Sequence, residues 1–217
     1  MKTIMPLILV TGLFASATHA QTINFDSAEA GKPPRGWTVA ITGGGEPKWA
    51  VEKSDSAPSQ ANVLKQSAET PRSSYPLCLK GGTNLTDGFV EVKFRSVSGK
   101  IDQAAGVIWR CADKDNYYIC RANALEDNVV LYKVEQGKRT SLDIVGRKGG
   151  YGVEAKVAPQ TWHTLRVEFA GNRFKVLLNE KHLFDVEDGT FWDAGKVGLW
   201  TKADSVMLFD DFSSGAK

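Results

Sequence analysis

Phe89-Val90-Glu91-Val92-Lys93-Phe94-Arg95 is the stretch that decides the fold. In an extended chain Val90, Val92 and Phe94 fall on one side and Glu91, Lys93 and Arg95 on the other, the period-two pattern of a strand with one dry and one wet face. His163-Thr164-Leu165-Arg166-Val167-Glu168-Phe169 repeats the pattern. The turn Gly171-Asn172 then leads into residues 173–178, and Asn179-Glu180 leads into residues 181–186, so these segments read as an antiparallel meander in which Asn179 takes the positive φ that such a turn requires. From residue 22 onward about fifteen runs rich in Val, Ile, Leu, Phe, Tyr and Thr recur, separated by Gly, Asp, Asn or Pro. No amphipathic helix of ordinary length interrupts them. The expectation is an all-β chain: a two-sheet antiparallel β-sandwich of jelly-roll type, forming one domain over residues 21–217 without internal repeats. Gly43-Gly44-Gly45 and residues 146–152 read as loops, the second long enough to overhang a cleft.

Composition agrees with a globular chain. Of 217 residues, 42% are hydrophobic and 24% charged, which excludes collagen, low-complexity disorder and a polytopic membrane protein. Lys and Arg number 27 against 25 Asp and Glu, with no basic block able to follow a phosphate backbone, so nucleic acid is not an expected partner. Residues 1–20 combine Lys2, an apolar stretch from Ile4 to Phe14 and a small-residue end at Ala17-Thr18-His19-Ala20, the pattern of a secretory signal peptide. The expectation is cleavage after Ala20 and a mature protein without a transmembrane segment, periplasmic or extracellular.

Cys78, Cys111 and Cys120 are an odd number for an oxidising compartment. Residues 107–111 and 117–121 flank a hairpin turn. A two-residue loop at Lys114-Asp115 pairs Cys111 with Tyr118 and Trp109 with Cys120, leaving the two sulfurs diagonal and favouring free thiols; a register one pair longer sets them opposite and allows a bridge. The same register puts Val107, Trp109, Cys111, Tyr118 and Cys120 on a core face. The opposite face then carries Ile108, Arg110, Tyr117, Ile119, Arg121 and Asn123, a mixture of aromatic, amide and guanidinium groups suited to a sugar. If the strands at Glu91 to Arg95 and Gly198 to Lys202 join this sheet, Glu91, Lys93, Trp200 and Lys202 extend the surface. The candidate substrate-binding set is therefore Glu91, Arg110, Tyr117, Arg121, Trp200 and Lys202. Against it stands the plainer reading that Arg110 and Arg121 pair with acids such as Glu91.

Catalytic signatures are easier to exclude. There is no G-x-S-x-G elbow, H-E-x-x-H helix, P-loop or G-x-G-x-x-G turn. His163 and His182 share strand parity with apolar neighbours and read as core or surface histidines. Asp185, Glu187 and Asp188 end a hairpin strand, and Asp113 and Asp115 read as turn formers. For Asp210-Asp211 two readings stand, a structural Ca²⁺ where terminal strands meet or backbone capping. Trp37, Trp49, Trp162 and Trp192 default to packing roles.

Several stretches carry a resemblance. Gly36-Trp37-Thr38-Val39, Gly106-Val107-Ile108-Trp109-Arg110 with Asn116-Tyr117-Tyr118, Leu131-Tyr132-Lys133-Val134 with Gly137-Lys138-Arg139, Gly195 through Lys202 and Phe209-Asp210-Asp211-Phe212 resemble bacterial exported domains of the concanavalin A-like lectin and glucanase superfamily. Within it the chain resembles the 3-keto-disaccharide hydrolase domain, loosely glycoside hydrolase family sixteen-like. The resemblance implies a concave sheet that binds a carbohydrate ligand, and hydrolysis or β-elimination of a 3-oxidised glycoside. The acid/base pair of family sixteen has no counterpart here, which argues against an ordinary endoglucanase. A 3-keto sugar needs less, because its ketone acidifies the C2 proton and one general base starts elimination, with or without a divalent metal. Glu91, Asp113 and His163 are the nominees for that base.

Overall fold

The computed structural model describes residues 22–217, so the expected signal peptide lies outside the described residues. Sixteen strands follow in order: β1 (Thr22–Ile23), β2 (Trp37–Thr42), β3 (Trp49–Lys53), β4 (Asn62–Gln66), β5 (Tyr75–Lys80), β6 (Gly88–Ser98), β7 (Ala104–Asp113) and β8 (Asn116–Asn123). The second half supplies β9 (Asn128–Glu135), β10 (Lys138–Ser141), β11 (Val153–Glu154), β12 (His163–Ala170), β13 (Arg173–Leu178), β14 (Lys181–Glu187), β15 (Lys196–Thr201) and β16 (Val206–Ala216). Two antiparallel sheets result. The first runs β14-β13-β12-β6-β16-β4-β3 with β1 beside β16, and the second β10-β9-β8-β7-β15-β5-β2 with β11 beside β9. The expected jelly-roll sandwich is what forms.

Alternation explains why the sheets face each other. Val90, Val92 and Phe94 of β6, Leu165, Val167 and Phe169 of β12, and Phe174, Val176 and Leu178 of β13 are buried in one core with Val107, Trp109, Tyr118, Cys120, Leu131 and Leu199 of the second sheet. Each such side chain contributes about 1.5–3 kcal/mol on leaving water. Asn179 and Glu180 both take positive φ, 50° and 65°, in the turn between β13 and β14, as expected for Asn179.

The β7–β8 hairpin departs from expectation in a way that matters for the site. Asp113 does pair with Asn116 around a two-residue turn, but Trp109 pairs with Tyr118 and Val107 with Cys120. Three residues of β7, Arg110 to Ala112, thus face only Tyr117, and Arg110 enters the left-handed region at φ 46°. Gly195 makes room for this bulge, since a Cβ there would stand 2.5 Å from the Arg110 carbonyl carbon. The register slip moves Cys111 out of the expected core face to the outer face beside Tyr117, and turns Arg110 away from it. All three cysteines are free and buried. Burial pushes the Cys111 thiol up to about 12, with Asp113 adding to the rise and Lys196 opposing it.

Candidate functional site

The outer face of the second sheet is apolar and aromatic rather than wet. Tyr75, Leu77, Ile108, Tyr117, Ile119, Val130, Tyr132 and Trp200 form a second buried cluster there, separate from the core between the sheets. Its floor is low where β7 crosses under Trp200: Gly106 is the cross-strand partner of Trp200, and a Cβ at Gly106 would lie 2.4 Å from Ile119 Cδ1 and 3.3 Å from Arg121 Cβ. Tyr75 and Trp200 stack at 5.3 Å between ring centroids. The Arg139 guanidinium, from β10, lies over Tyr132 at 4.4 Å, Tyr75 at 4.8 Å and Trp200 at 5.6 Å. An aromatic box thus holds an internal cation. Tyr117 sits beneath this layer with its hydroxyl 2.8 Å from Thr42 Oγ1.

One end of the face is a charged network. Arg121 is 2% exposed; its Nη2 donates to Glu126 Oε2 at 2.8 Å, Tyr151 OH at 3.0 Å and Tyr132 OH at 3.2 Å, while Nη1 donates to the Asn128 side chain. Burial opposes the Arg121 charge, but Tyr132, Tyr151 and Glu126 outweigh it and raise its pKa further. Burial likewise opposes ionised Glu126, yet Arg121 and a hydrogen bond from Asn128 hold its carboxyl below the ordinary range. Beside this network Lys202 donates to Asp102, which also accepts from Asn123 Nδ2 at 2.7 Å. Of residues 146–152, Tyr151 reaches this end: its hydroxyl meets Tyr132 and Arg121 while the residue stays 47% exposed.

Four of the six expected residues, Tyr117, Arg121, Trp200 and Lys202, therefore lie on this face or its rim. Arg110 and Glu91 do not. The bulge sends Arg110 to the end of the sandwich, where it donates to the carbonyls of Thr86, Gly171 and Phe191 at 2.6–2.9 Å and to Asp87 at 3.2 Å. Glu91 belongs to β6, in the other sheet, and faces outward against Arg166 at 3.4 Å, with Lys93 paired to Asp211 nearby. The expectation that the strand at Glu91 would join this surface fails because β6 pairs with β12 and β16.

The nominated bases hold the fold instead. Asp113 accepts from Asp115 N and Asn116 Nδ2 in its turn, and His163 lies between Ala158 O and Asn179 Nδ2. Asp210 accepts from Ser59 N, Ser59 Oγ and Asp211 N, so its carboxylate ties backbone segments together, the capping reading. Trp49 is core and Trp37 packs on Phe212, but Trp192 is 57% exposed, contrary to its expected packing role. Tyr75, Tyr132, Arg139 and Tyr151 share this face but do not belong to the expected set. The alternation Leu131-Tyr132-Lys133-Val134, placed opposite Ile119 and Tyr117, carries the signal that would have found Tyr132.

A jelly-roll sandwich with an aromatic, guanidinium-bearing outer face defines the class of the protein. More narrowly, a family model matches residues 23–213, and the chain belongs to the 3-keto-alpha-glucoside-1,2-lyase-like domains. No curated protein matches the chain. Among solved structures it is similar to the carbohydrate-binding module CBM66 from Bacillus subtilis, with TM-score 0.64 and 19% identity over 83% of this chain and 96% of that one. It is similar too to the cellulose-induced protein Cip1, with TM-score 0.63 and 12% identity over 91% and 97% of the two chains. For the Bacillus licheniformis β-glucanase the values are 0.54, 12%, 93% and 99%. These likenesses are of fold.

Proposed function

We propose that the protein is an exported carbohydrate-binding sandwich whose ligand lies on the outer face of the second sheet. The observation that carries this reading is the gathering of Tyr75, Tyr132, Tyr151 and Trp200 with Arg121 and Arg139 on one sheet face. Sugars need a planar apolar surface for their C–H groups and fixed donors for their hydroxyls; the exposed Tyr151 ring offers the first, and the Arg139 guanidinium, held over the buried Tyr75, Tyr132 and Trp200, offers the second. Lys202, Asp102 and Asn123 add polar groups at the rim. The pattern of residues 1–20 supports export. A glycan array read with the purified domain tests the binding: wild type retains one or more oligosaccharides and Trp200→Ala retains none, whereas an array without any bound glycan would remove the reading.

Family membership favours a second reading, a lyase or hydrolase acting on 3-keto-glycosides on the same face. Elimination takes the C2 proton to a base and moves the electron pair onto the C3 carbonyl oxygen as an enolate; the pair then returns to form the C1–C2 double bond as the C1–O bond breaks and the leaving oxygen takes up a proton. Incubating the domain with glucosides and their 3-keto forms, followed by mass spectrometry with and without divalent metal, separates the readings; turnover of the keto sugar alone marks an enzyme.

A further inference from the structure

Of the arginines that are not fully exposed, all but one have acceptors. Arg95 donates to Gln160 O and Ser56 Oγ, Arg110 to three carbonyls and Asp87, Arg121 to Glu126 and Asn128, and Arg166 to Glu91 and Glu168. Arg139 has neither a carboxylate nor a hydrogen-bond partner among the described residues, and its Nη1 is buried without an acceptor. Three aromatic rings fix its position and favour its charge, yet a ring face offers none of the in-plane oxygens that a guanidinium fork matches. The other charges along this face are already balanced, Arg121 by Glu126 and Lys202 by Asp102. Arg139 stands on the edge strand β10 and is only half-buried, so its outer side is open to a ligand.

The surroundings extend the same chemistry. Tyr132, under Arg139, packs edge-on against Tyr151 at 6.0 Å, so the exposed Tyr151 ring lies just across Tyr132 from the guanidinium. Beside Tyr151 is a groove of about 650 Å³ lined by residues 147–154, where Arg147 and Lys148 outnumber the one acid, Glu154. We propose that this face takes a carboxylated sugar, a uronate whose carboxylate meets Arg139 while its ring rests on Tyr151. This rests on the carbohydrate reading and narrows its ligand class. It adds a requirement that the neutral-sugar version does not have: an anionic group at fixed distance from an aromatic platform.

The test is calorimetry of the whole domain with an oligogalacturonide, a sulfated oligosaccharide and a neutral gluco-oligosaccharide of equal length, at low and high salt. The oligogalacturonide should bind about tenfold or more tighter than the neutral sugar, the worth of one charge-assisted contact, and high salt should shrink that preference. Arg139→Gln should abolish the preference, lowering uronate affinity about tenfold more than neutral-sugar affinity, and Arg139→Lys should restore part of it. If Arg139→Gln does not fold, Tyr151→Ala on its exposed loop serves instead, weakening uronate and neutral sugar alike while the uronate preference persists. Equal affinity for charged and neutral sugars, or a preference untouched by Arg139→Gln, overturns the proposal and leaves carbohydrate binding standing. Tighter binding of the sulfated sugar overturns the carboxylate assignment. Failure of every sugar to bind overturns both readings together.

Discussion

The two outer faces of the sandwich use the same strand periodicity for opposite ends. On the first sheet the outward residues of β6 and its neighbours are charged and paired across strands, Glu91 with Arg166, Arg166 with Glu168 and Lys93 with Asp211. Arg166 also covers Phe89, its Cζ 4.0 Å from the ring centroid. On the second sheet the outward residues of β5, β7, β8, β9 and β15 are aromatic and aliphatic, and long side chains laid over them remove them from water. A face made only to be soluble needs nothing more than solvated pairs; this one sets Trp200 beneath Arg139 and leaves the Tyr151 ring exposed at its edge.

Trp200→Ala breaks this contrast most deeply. It opens the aromatic box, removes the stack on Tyr75 and should cost about 3–5 kcal/mol in urea unfolding, along with glycan binding. Arg110→Ala should come close, at about 3 kcal/mol, because it leaves three carbonyls without the buried guanidinium they now share. Here the loss should be of stability alone, since Arg110 lies on neither outer face.

A smaller effect sharpens the comparison through pH. Asp188 is partly buried, which opposes its charge, but hydrogen bonds from Thr190 and Tyr118 and the nearby Lys133 outweigh burial and hold its carboxyl below the ordinary value. A depressed carboxyl stabilises the fold above its unfolded pKa, and the contribution is lost as pH falls through the folded one. Asp188→Asn should therefore flatten the acid limb of a stability-versus-pH curve. Asp210 has the opposite sign, because burial raises it despite the hydrogen bonds from Ser59, so its contribution declines as pH rises through the raised value. Smallest of all should be Glu91→Gln on the wet face, at or below about 0.5 kcal/mol by the same urea measurement, with glycan binding unchanged.

Most of the fold was legible because alternation is local: Val90, Val92 and Phe94 declare the core face of β6 whatever that strand pairs with. Which sheet β6 joins is not local, and that is why Glu91 was placed on the wrong side of the molecule. Arg121 and Tyr117 are readable because the β8 pattern survives a shift of two residues, which preserves every face, and Trp200 and Lys202 because β15 does join this sheet beside β7. Arg110 is not, because its bulge depends on Gly195, distant in the chain and just before β15, making space. Tyr75, Tyr132, Arg139 and Tyr151 come from four separate segments, and β10 and β5 stand near opposite edges of the sheet, so the meeting of Arg139 with Tyr75 needs the sheet to curl, which no local pattern declares.

Arg110 also bears on the order in which the molecule assembles. Its four bonds reach partners 23 to 81 positions away along the chain, in the segments before β6, between β12 and β13, and after β14. No nascent hairpin can make them; they close only when both sheets have met. A tie set that late is absent from the rate-limiting step, so it governs how long the native state lasts rather than how quickly it is reached, and Arg110→Ala should steepen the escape from the folded state while refolding keeps its pace.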